Sequence, residues 1–311
     1  MSKLSGKHIG ILCGGWSDER SVSLDSGKSA YNSLISSDLD AFFFDFKDND
    51  INLLSKFIES NNIDLVLNLI HGTGGEDGLV QNYLDRLSIK YIGSNSEASK
   101  LSFNKVLTKE AWLRNSLNTP NYIKLSDNIS SKKIEKLFGK KFILKPCESG
   151  SSVGIKIFDT ADFYSSSSID ILAKLSLSSI NSHNYFIEEF IAEPEYTAPI
   201  INNQVFPIIK IETKREFYNY KAKYLDNDTV FSFPDFTKDV HQNIKLTCME
   251  AFNATGCSDW GRVDFFMGKD SVVNLIEINS IPGMTDHSLV PKSAKKNGLS
   301  YHELLLLLLK S

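Results

Sequence analysis

The first 95 residues constrain the fold most, because they alternate. "HIGILCGG" reads as a strand, "SVSLDSGKSAYNSLI" as a helix, "AFFFDF" as a strand and "INLLSKFIES" as a helix. "IDLVLNLI" is then a strand, "LVQNYLDRL" a helix and "KYIG" a strand. Short apolar strands alternating with helical patterns argue for an open parallel sheet with helices on both faces. Such sheets bind ligands beyond the carboxyl ends of their strands. Two loops fall at such ends, 14–20 and 71–78.

A second region begins with a helix expected over roughly 97–116. A strand and a helix follow, then the hairpin "KKFILKPCESGSSVGIKIFD" and a strand in "NYFIEEFI". The remainder reads as β-rich, with "APIINNQVFPIIKIE" and later "RVDFFM…SVVNLIEIN". Between these lies "TKREFYNYKAKYLDNDTVFSFPDF", polar and aromatic with weak periodicity. It reads mostly as a long loop, and loops of that length are usually lids or disordered. The expected class is α/β, becoming α+β in the C-terminal half.

A chain of 311 residues can bury a large core and suggests two or three domains. Its net charge of −4 makes it a poor candidate for nonspecific nucleic-acid binding, which needs a basic surface. No apolar run approaches the ~20 residues of a membrane span. The run from Ile9 to Cys13 is shorter than a signal-peptide core. The leucines at 304–309 are expected to end a C-terminal helix packed on the core. Cys13, Cys147, Cys248 and Cys257 show no C-x-x-C and no zinc-like spacing, as in reduced cytosolic proteins.

Two standard phosphate motifs are excluded. Gly27-Lys28-Ser29 ends a pattern like G-x-x-x-x-G-K-S/T, but Val22 stands where the first glycine belongs. Gly72 and Gly74 are followed by Asp77 where a dinucleotide-binding G-x-G-x-x-G needs its third glycine. The hairpin remains. Lys145 ends a strand, where its ammonium can reach a phosphate, and "SGSSVG" offers backbone N–H groups to anionic oxygens. By itself this feature also fits an ordinary turn.

The strongest signal from the residues is "GRVDFFMGKDSVVNLIEIN". "GKDS" separates two alternating apolar runs, so the segment is a β-hairpin. Opposed residues are expected to have numbers summing to 539 or 541. Either register puts Arg262, Asp264, Glu277 and Asn279 on one face. Two carboxylates and an amide oxygen suit a hard cation such as Mg²⁺ shared with nucleotide phosphates. The same residues could also form an Arg–Asp–Glu ion-pair network on the sheet. The Pro-Gly turn of "SIPGMTDHS", which would bring backbone N–H groups beside the patch, favours the metal.

"GGWSDERSVS", "HGTGGEDG", "ILKPCESGSSVG", "YKAKY", "DWGRVDFF" and "EINSIPGMTDHSLVP" occur in that order between residues 14 and 291. Together they resemble the D-alanine–D-alanine ligases of the ATP-grasp superfamily. The resemblance implies an ATP-grasp fold behind an N-terminal parallel α/β domain. Three segments are expected: 1–95, 96–187 with the Gly/Ser-rich flap, and 188–311 with the metal and oxyanion site. It implies ATP and Mg²⁺ or Mn²⁺, two ions, as cofactors. It also implies two D-alanines as substrates, a homodimer, a cytoplasmic location and a cell-wall precursor as product.

Residue by residue, Lys105 and Lys145 resemble the family's phosphate-binding lysines, with Ser152 in the flap. Glu188 resembles the residue near the adenine, beside Glu189, and Glu195 the one on the ribose. Asp264, Glu277 and Asn279 resemble the metal ligands. Glu19 resembles the residue for the first D-alanine's ammonium, with His71 nearby. Ser151 and Tyr224 would tie flap and mobile loop over the substrates. Lys223 and Ser288, with Leu289, resemble binders of the second D-alanine's carboxylate. Arg262 and the Gly283 N–H resemble the oxyanion hole. Outside these motifs, Glu19 would read as an acid at a helix N-terminus, His71 as a structural histidine and Tyr224 as a loop aromatic. Trp16, Ser21 and Cys147 depart from the family's commonest residues, which bears on substrate affinity rather than on the reaction. Another ATP-grasp carboxylate–amine ligase, relatives using D-lactate or D-serine, a nucleotide-binding regulator and a phosphotransferase are the alternatives. Tyr at 224 goes with dipeptide formation in the family, and the intact metal set argues against a regulator.

Overall fold

A computed structural model of the chain describes residues 4, 6–37, 39–125, 129–178, 182–215 and 228–311. The N-terminal alternation folds as expected. Strands β1 (Ile9–Gly14), β2 (Ala41–Phe46), β3 (Leu65–Asn68) and β4 (Lys90–Ile92) form a parallel sheet in the order β2-β1-β3-β4. Helices α1 (Arg20–Ile35), α2 (Ile51–Asn61) and α3 (Leu79–Arg86) connect them. Local chemistry sets the boundaries. Asp50 caps α2 by accepting from the Asn52 N–H, and Asn62 ends it in the left-handed conformation. β1 is buried along its whole length because it is a central strand covered on both faces.

A central antiparallel sheet has the order β5-β8-β6-β7: β5 (Tyr122–Lys124), β8 (Tyr185–Glu189), β6 (Lys141–Pro146) and β7 (Lys156–Asp159). Its core gathers Phe142, Leu144, Phe163 and Ile187 with α6 (Ser131–Leu137) and α7 (Ser168–Lys174). β8 straddles the division expected at 187/188, so Glu188 and Glu189 belong to this sheet. The third sheet has the order β12-β11-β9-β13-β14, with β10 (Gln204–Val205) paired to β9. Its strands are β9 (Glu195–Ile201), β11 (Ile209–Glu212), β12 (Val230–Ser232), β13 (Trp260–Met267) and β14 (Val273–Asn279).

The hairpin of β13 and β14 adopts one of the two registers expected: Arg262 opposes Asn279 and Asp264 opposes Glu277, each pair summing to 541. A bulge follows between Asp264 and Phe265, after which Phe265 opposes Leu275.

Three elements differ from the sequence reading. The helix expected over 97–116 is two helices, α4 (Ser96–Phe103) and α5 (Lys105–Arg114). Asn104 breaks them with an extended backbone, ψ 102°, and its side chain accepts from the Leu107 N–H at 3.1 Å. Asparagine competes for the backbone in this way, so it favours a cap over a helix interior. The long polar stretch before 236 contains β12, paired antiparallel to β11; residues 216–227 of it lie outside the described residues. Finally, Lys238–Ala254 forms a helix, α8, in a region read only as β-rich. Its signals were a Thr237 cap and apolar residues Ile244, Cys248, Ala251 and Phe252 at i, i+4, i+7 and i+8. That stripe packs on Val263, Phe265 and Leu275.

The leucine run does end a helix packed on the core. α10 (Tyr301–Leu308) opens with a Ser300–Glu303 capping box. Leu304, Leu305 and Leu308 share one core with Ile9, Leu34, Leu67, Trp260 and Met284. Helix α9 (Leu289–Lys296) adds Val290 and Ala294. The chain's end therefore returns to its beginning, which brings the loops after β1 and β3 against the turn after β14.

Candidate active site

A cavity of about 450 Å³ lies between the central and third sheets. Lys105, Lys145, Glu195 and Glu277 line its polar side, and Ile143, Ile191, Phe266 and Ile276 contribute apolar wall. That size and mixture suit a small-molecule ligand with one apolar and one charged end. The flap between β6 and β7 forms its roof through Ser149, Ser152 and Val153. Ser151, Ser152 and Gly154 all have positive φ, at 50°, 59° and 78°. Left-handed serines cost energy and persist only where other contacts hold them. One such contact is present: the Ser151 hydroxyl donates to the Glu19 carboxylate.

The two lysines expected at phosphates arrive from different elements. Lys145 ends β6, and its Nζ lies 2.5 Å from Glu188 Oε2. Lys105 opens α5 because Asn104 breaks the preceding helix. Its Nζ donates to the Ser149 carbonyl at 2.6 Å and lies 3.2 Å from Glu277 Oε2. The Glu188 carboxylate, expected near an adenine, is fully buried and turned inward between Lys145 and a residue sequence reasoning missed, Lys109. Lys109 is itself fully buried and donates to Thr119 Oγ1 at 2.6 Å. Burial opposes ionisation of Glu188, but the charges of Lys109 and Lys145 outweigh it and hold the carboxyl below its usual range. For Lys145 burial is likewise outweighed by Glu188, and its pKa is raised. Glu189 accepts from Asn121 at 2.9 Å at the cavity edge.

The expected metal ligands converge on one face, as the alternation required. Asp264 is 1% exposed, and both its oxygens accept from Arg262, Nε to Oδ1 and Nη2 to Oδ2, each at 2.8 Å. Asn279 Nδ2 donates to Asp264 Oδ2 at 3.1 Å. The Arg–Asp pair, part of the ion-pair network that was the other possibility for this face, is present. Two carboxylates and an amide oxygen fit a divalent cation by chemistry, and Glu277 faces the cavity. No cluster of three or more His, Cys, Asp or Glu side chains arranged to hold a metal occurs among the described residues.

A second cavity of about 330 Å³ lies under the other side of the same flap, between Ser149, Gly150 and Val153 and the loop residues Ser17, Glu19 and Gly72. Arg20 anchors this loop by a bidentate pair with Asp45 at 2.8 and 2.7 Å and a bond to the Gly15 carbonyl. His71 is buried, its Nδ1 2.9 Å from the Ile281 carbonyl and its Nε2 3.2 Å from Ser26 Oγ. Burial lowers its pKa, against the charge of Glu19, so neutral imidazole is favoured. Ser288 caps α9 in position and bonds to Thr285, while the Leu289 side chain packs in a core with Ile209 and Ile211. A Cβ on Gly283 would stand 2.9 Å from Ser288 Oγ, which keeps this turn close to that hydroxyl. Lys223 and Tyr224 lie outside the described residues.

Glu76 was also missed. Its oxygens accept from the Gly72 N–H at 2.8 Å and the Ile281 N–H at 3.3 Å, joining the two loops that flank His71. Burial, then the charge of Glu19, raises its pKa from 4.5 to about 8. The folded value lies above the unfolded one, so this contribution to stability is complete below about 4.5 and is lost as pH rises through about 8. Glu76→Gln carries no such proton. Wild type should therefore lose thermal stability relative to Glu76→Gln between about pH 6 and pH 8.5. Melting curves that stay parallel across that range would contradict the assignment.

The comparisons with known proteins agree with this geometry. Residues 112–310 match the family model described as "D-ala D-ala ligase C-terminus". The chain is 35% identical over 297 residues to a D-alanine–D-alanine ligase of Saccharophagus degradans, covering 95% of this chain and 91% of that one. It is 37% identical to one of Buchnera aphidicola, covering 98% of each. The crystal structure of a D-alanine–D-alanine ligase from Bacillus anthracis complexed with ATP superposes with a TM-score of 0.81 at 27% identity, covering 98% of this chain and 97% of that one. Near-complete coverage in both directions, together with the matched fold, means that this chain belongs to the D-alanine–D-alanine ligase family.

Proposed function

We propose that the chain joins two D-alanines into D-alanyl-D-alanine at the expense of ATP, through a D-alanyl phosphate, for peptidoglycan precursor synthesis. The observation that carries this reading is the shared flap. Ser149 and Val153 border both cavities, and Ser151 of the same flap is bonded to Glu19. One loop thus lies over a nucleotide-sized cavity on one side and an amino-acid-sized one on the other.

A carboxylate and an ammonium do not condense near neutral pH, because both are charged and the leaving group is poor. Phosphorylating the first D-alanine's carboxylate supplies a leaving group; the second D-alanine's amine then displaces phosphate. In this reading Lys105 and Lys145 offset phosphate charge, and Glu195 and Glu189 face the rest of the nucleotide. A divalent cation, or two, held by Asp264, Glu277 and Asn279 would neutralise charge on the transferring group. Glu19 takes the first ammonium, and neutral His71 leaves that charge unopposed. Arg262 and the Gly283 N–H stabilise the tetrahedral oxyanion. Ser288 and Lys223 bind the second carboxylate, and Ser151 and Tyr224, with Glu19, hold the flap over the substrates. ATP dependence supports a cytoplasmic location, and assembly as a homodimer is checked by light scattering.

D-alanine labelled with ¹⁸O in its carboxylate tests the route. One labelled oxygen should leave in the released phosphate; unlabelled phosphate would exclude the acyl phosphate. The flap contact has its own test. A Cβ on Gly150 would stand 2.0 Å from Glu19 Oε2, so Gly150→Ala must displace that carboxylate. We expect KM for the first D-alanine to rise about tenfold or more, with ATP binding little changed. An unchanged KM would remove Glu19 from substrate binding.

A further inference from the structure

Lys109 belongs to no motif, yet it is the largest fully buried cation among the described residues. One carboxylate is shared by two lysines: Lys109 pairs with Glu188 Oε1, and Lys145 lies 2.5 Å from Oε2. Lys145 and Glu188 line the cavity with Lys105 and Glu277, and Lys109 stands behind them. Burial lowers the pKa of Lys109 against the charge of Glu188, and with both lysines protonated the group carries a net charge of +1. A Lys145–Glu188 pair standing alone would be neutral.

We propose that Lys109 is a positioning residue for nucleotide phosphates: by occupying one oxygen of Glu188 it leaves the ammonium of Lys145 available, in charge and in position, to the cavity. The inference rests on the reading that the cavity takes ATP. Its physical basis is competition. A carboxylate with one cationic partner holds that partner with both oxygens, whereas a carboxylate shared between two holds each less tightly.

Lys109 is anchored for this task rather than for packing alone. Its Nζ also donates to Thr119 Oγ1, and that hydroxyl donates to the Leu275 carbonyl at 2.8 Å. Leu275 lies on β14, the strand that also carries Glu277. The ammonium therefore ties the lysine row to the strand that carries an expected metal ligand. Lys109 lies one turn after Lys105 on α5, so the helix that presents one phosphate lysine to the cavity also supports the other from behind.

The test is a double-mutant cycle on the full-length protein, read as the dissociation constant for ATP with Mg²⁺ by calorimetry. Lys109→Met should weaken binding on the order of tenfold, while KM for D-alanine stays within about twofold. Glu188→Gln removes the carboxylate through which Lys109 acts. In that background Lys109→Met should cause no further loss, because the effect runs through Glu188. An equal loss in both backgrounds, or none in either, would overturn the proposal. Removing one partner of a buried ion pair can prevent folding, whereas removing both often does not. If Lys109→Met alone fails to fold, the comparison of Lys109→Met/Glu188→Gln with Glu188→Gln still decides, since weaker ATP binding in the double variant overturns it. Absence of ATP binding by wild type would instead refute the reading of the cavity.

Discussion

Arg262→Ala should lose 10²–10³-fold in kcat, roughly 3–4 kcal/mol of transition-state stabilisation, as expected for removal of one oxyanion donor. The structure adds a second consequence. Both oxygens of Asp264 accept from Arg262, and Asp264 is 1% exposed. Truncation leaves a buried carboxylate with only the Asn279 amide among its bonds to these neighbours, and such a loss costs on the order of 3–5 kcal/mol. Arg262→Ala should therefore melt several degrees lower as well as turn over slowly. Arg262→Lys restores a charge but not the planar fork, so it should recover stability more than rate. A variant that keeps near-normal turnover would remove Arg262 from the oxyanion site.

Glu277→Gln should have the next largest effect. The carboxylate faces the cavity opposite Asp264 and lies 3.2 Å from Lys105 Nζ. In the proposed metal site, replacing it with an amide removes one of two anionic oxygen donors. We expect kcat to fall on the order of 10²-fold and the Mg²⁺ concentration for half-maximal rate to rise at least tenfold. The fold should survive, because Glu277 is half-buried and its lysine retains the Ser149 carbonyl. A Mg²⁺ titration superimposable on wild type would show that Glu277 does not hold the cation.

The sequence revealed whatever strict periodicity controls. The parallel sheet was legible because strand and helix patterns alternate cleanly. The convergence of Arg262, Asp264, Glu277 and Asn279 followed from the period of two along a hairpin with a clear turn. The break at Asn104 was not seen, because the residues on both sides continue a helical pattern and one cap decides the matter. Helix α8 has a Thr237 cap and helical apolar spacing, but the β patterns on either side of it are the stronger signal. Lys109 and Glu76 were invisible for another reason. Each is an ionisable residue whose burial depends on partners 79 and 205 positions away, Glu188 and Ile281, and no local pattern encodes such a pairing. Glu188 illustrates the same limit: its place beside the cavity was expected, but the direction of its side chain was not.

The most direct test of the account is release of phosphate from ATP and Mg²⁺ by the purified protein with D-alanine, with L-alanine and D-alanine/D-lactate or D-alanine/D-serine mixtures alongside and the product weighed by mass spectrometry. Phosphate release should depend on D-alanine and keep step with a product of the mass of D-alanyl-D-alanine. ATP binding without any D-alanine-dependent product would contradict it.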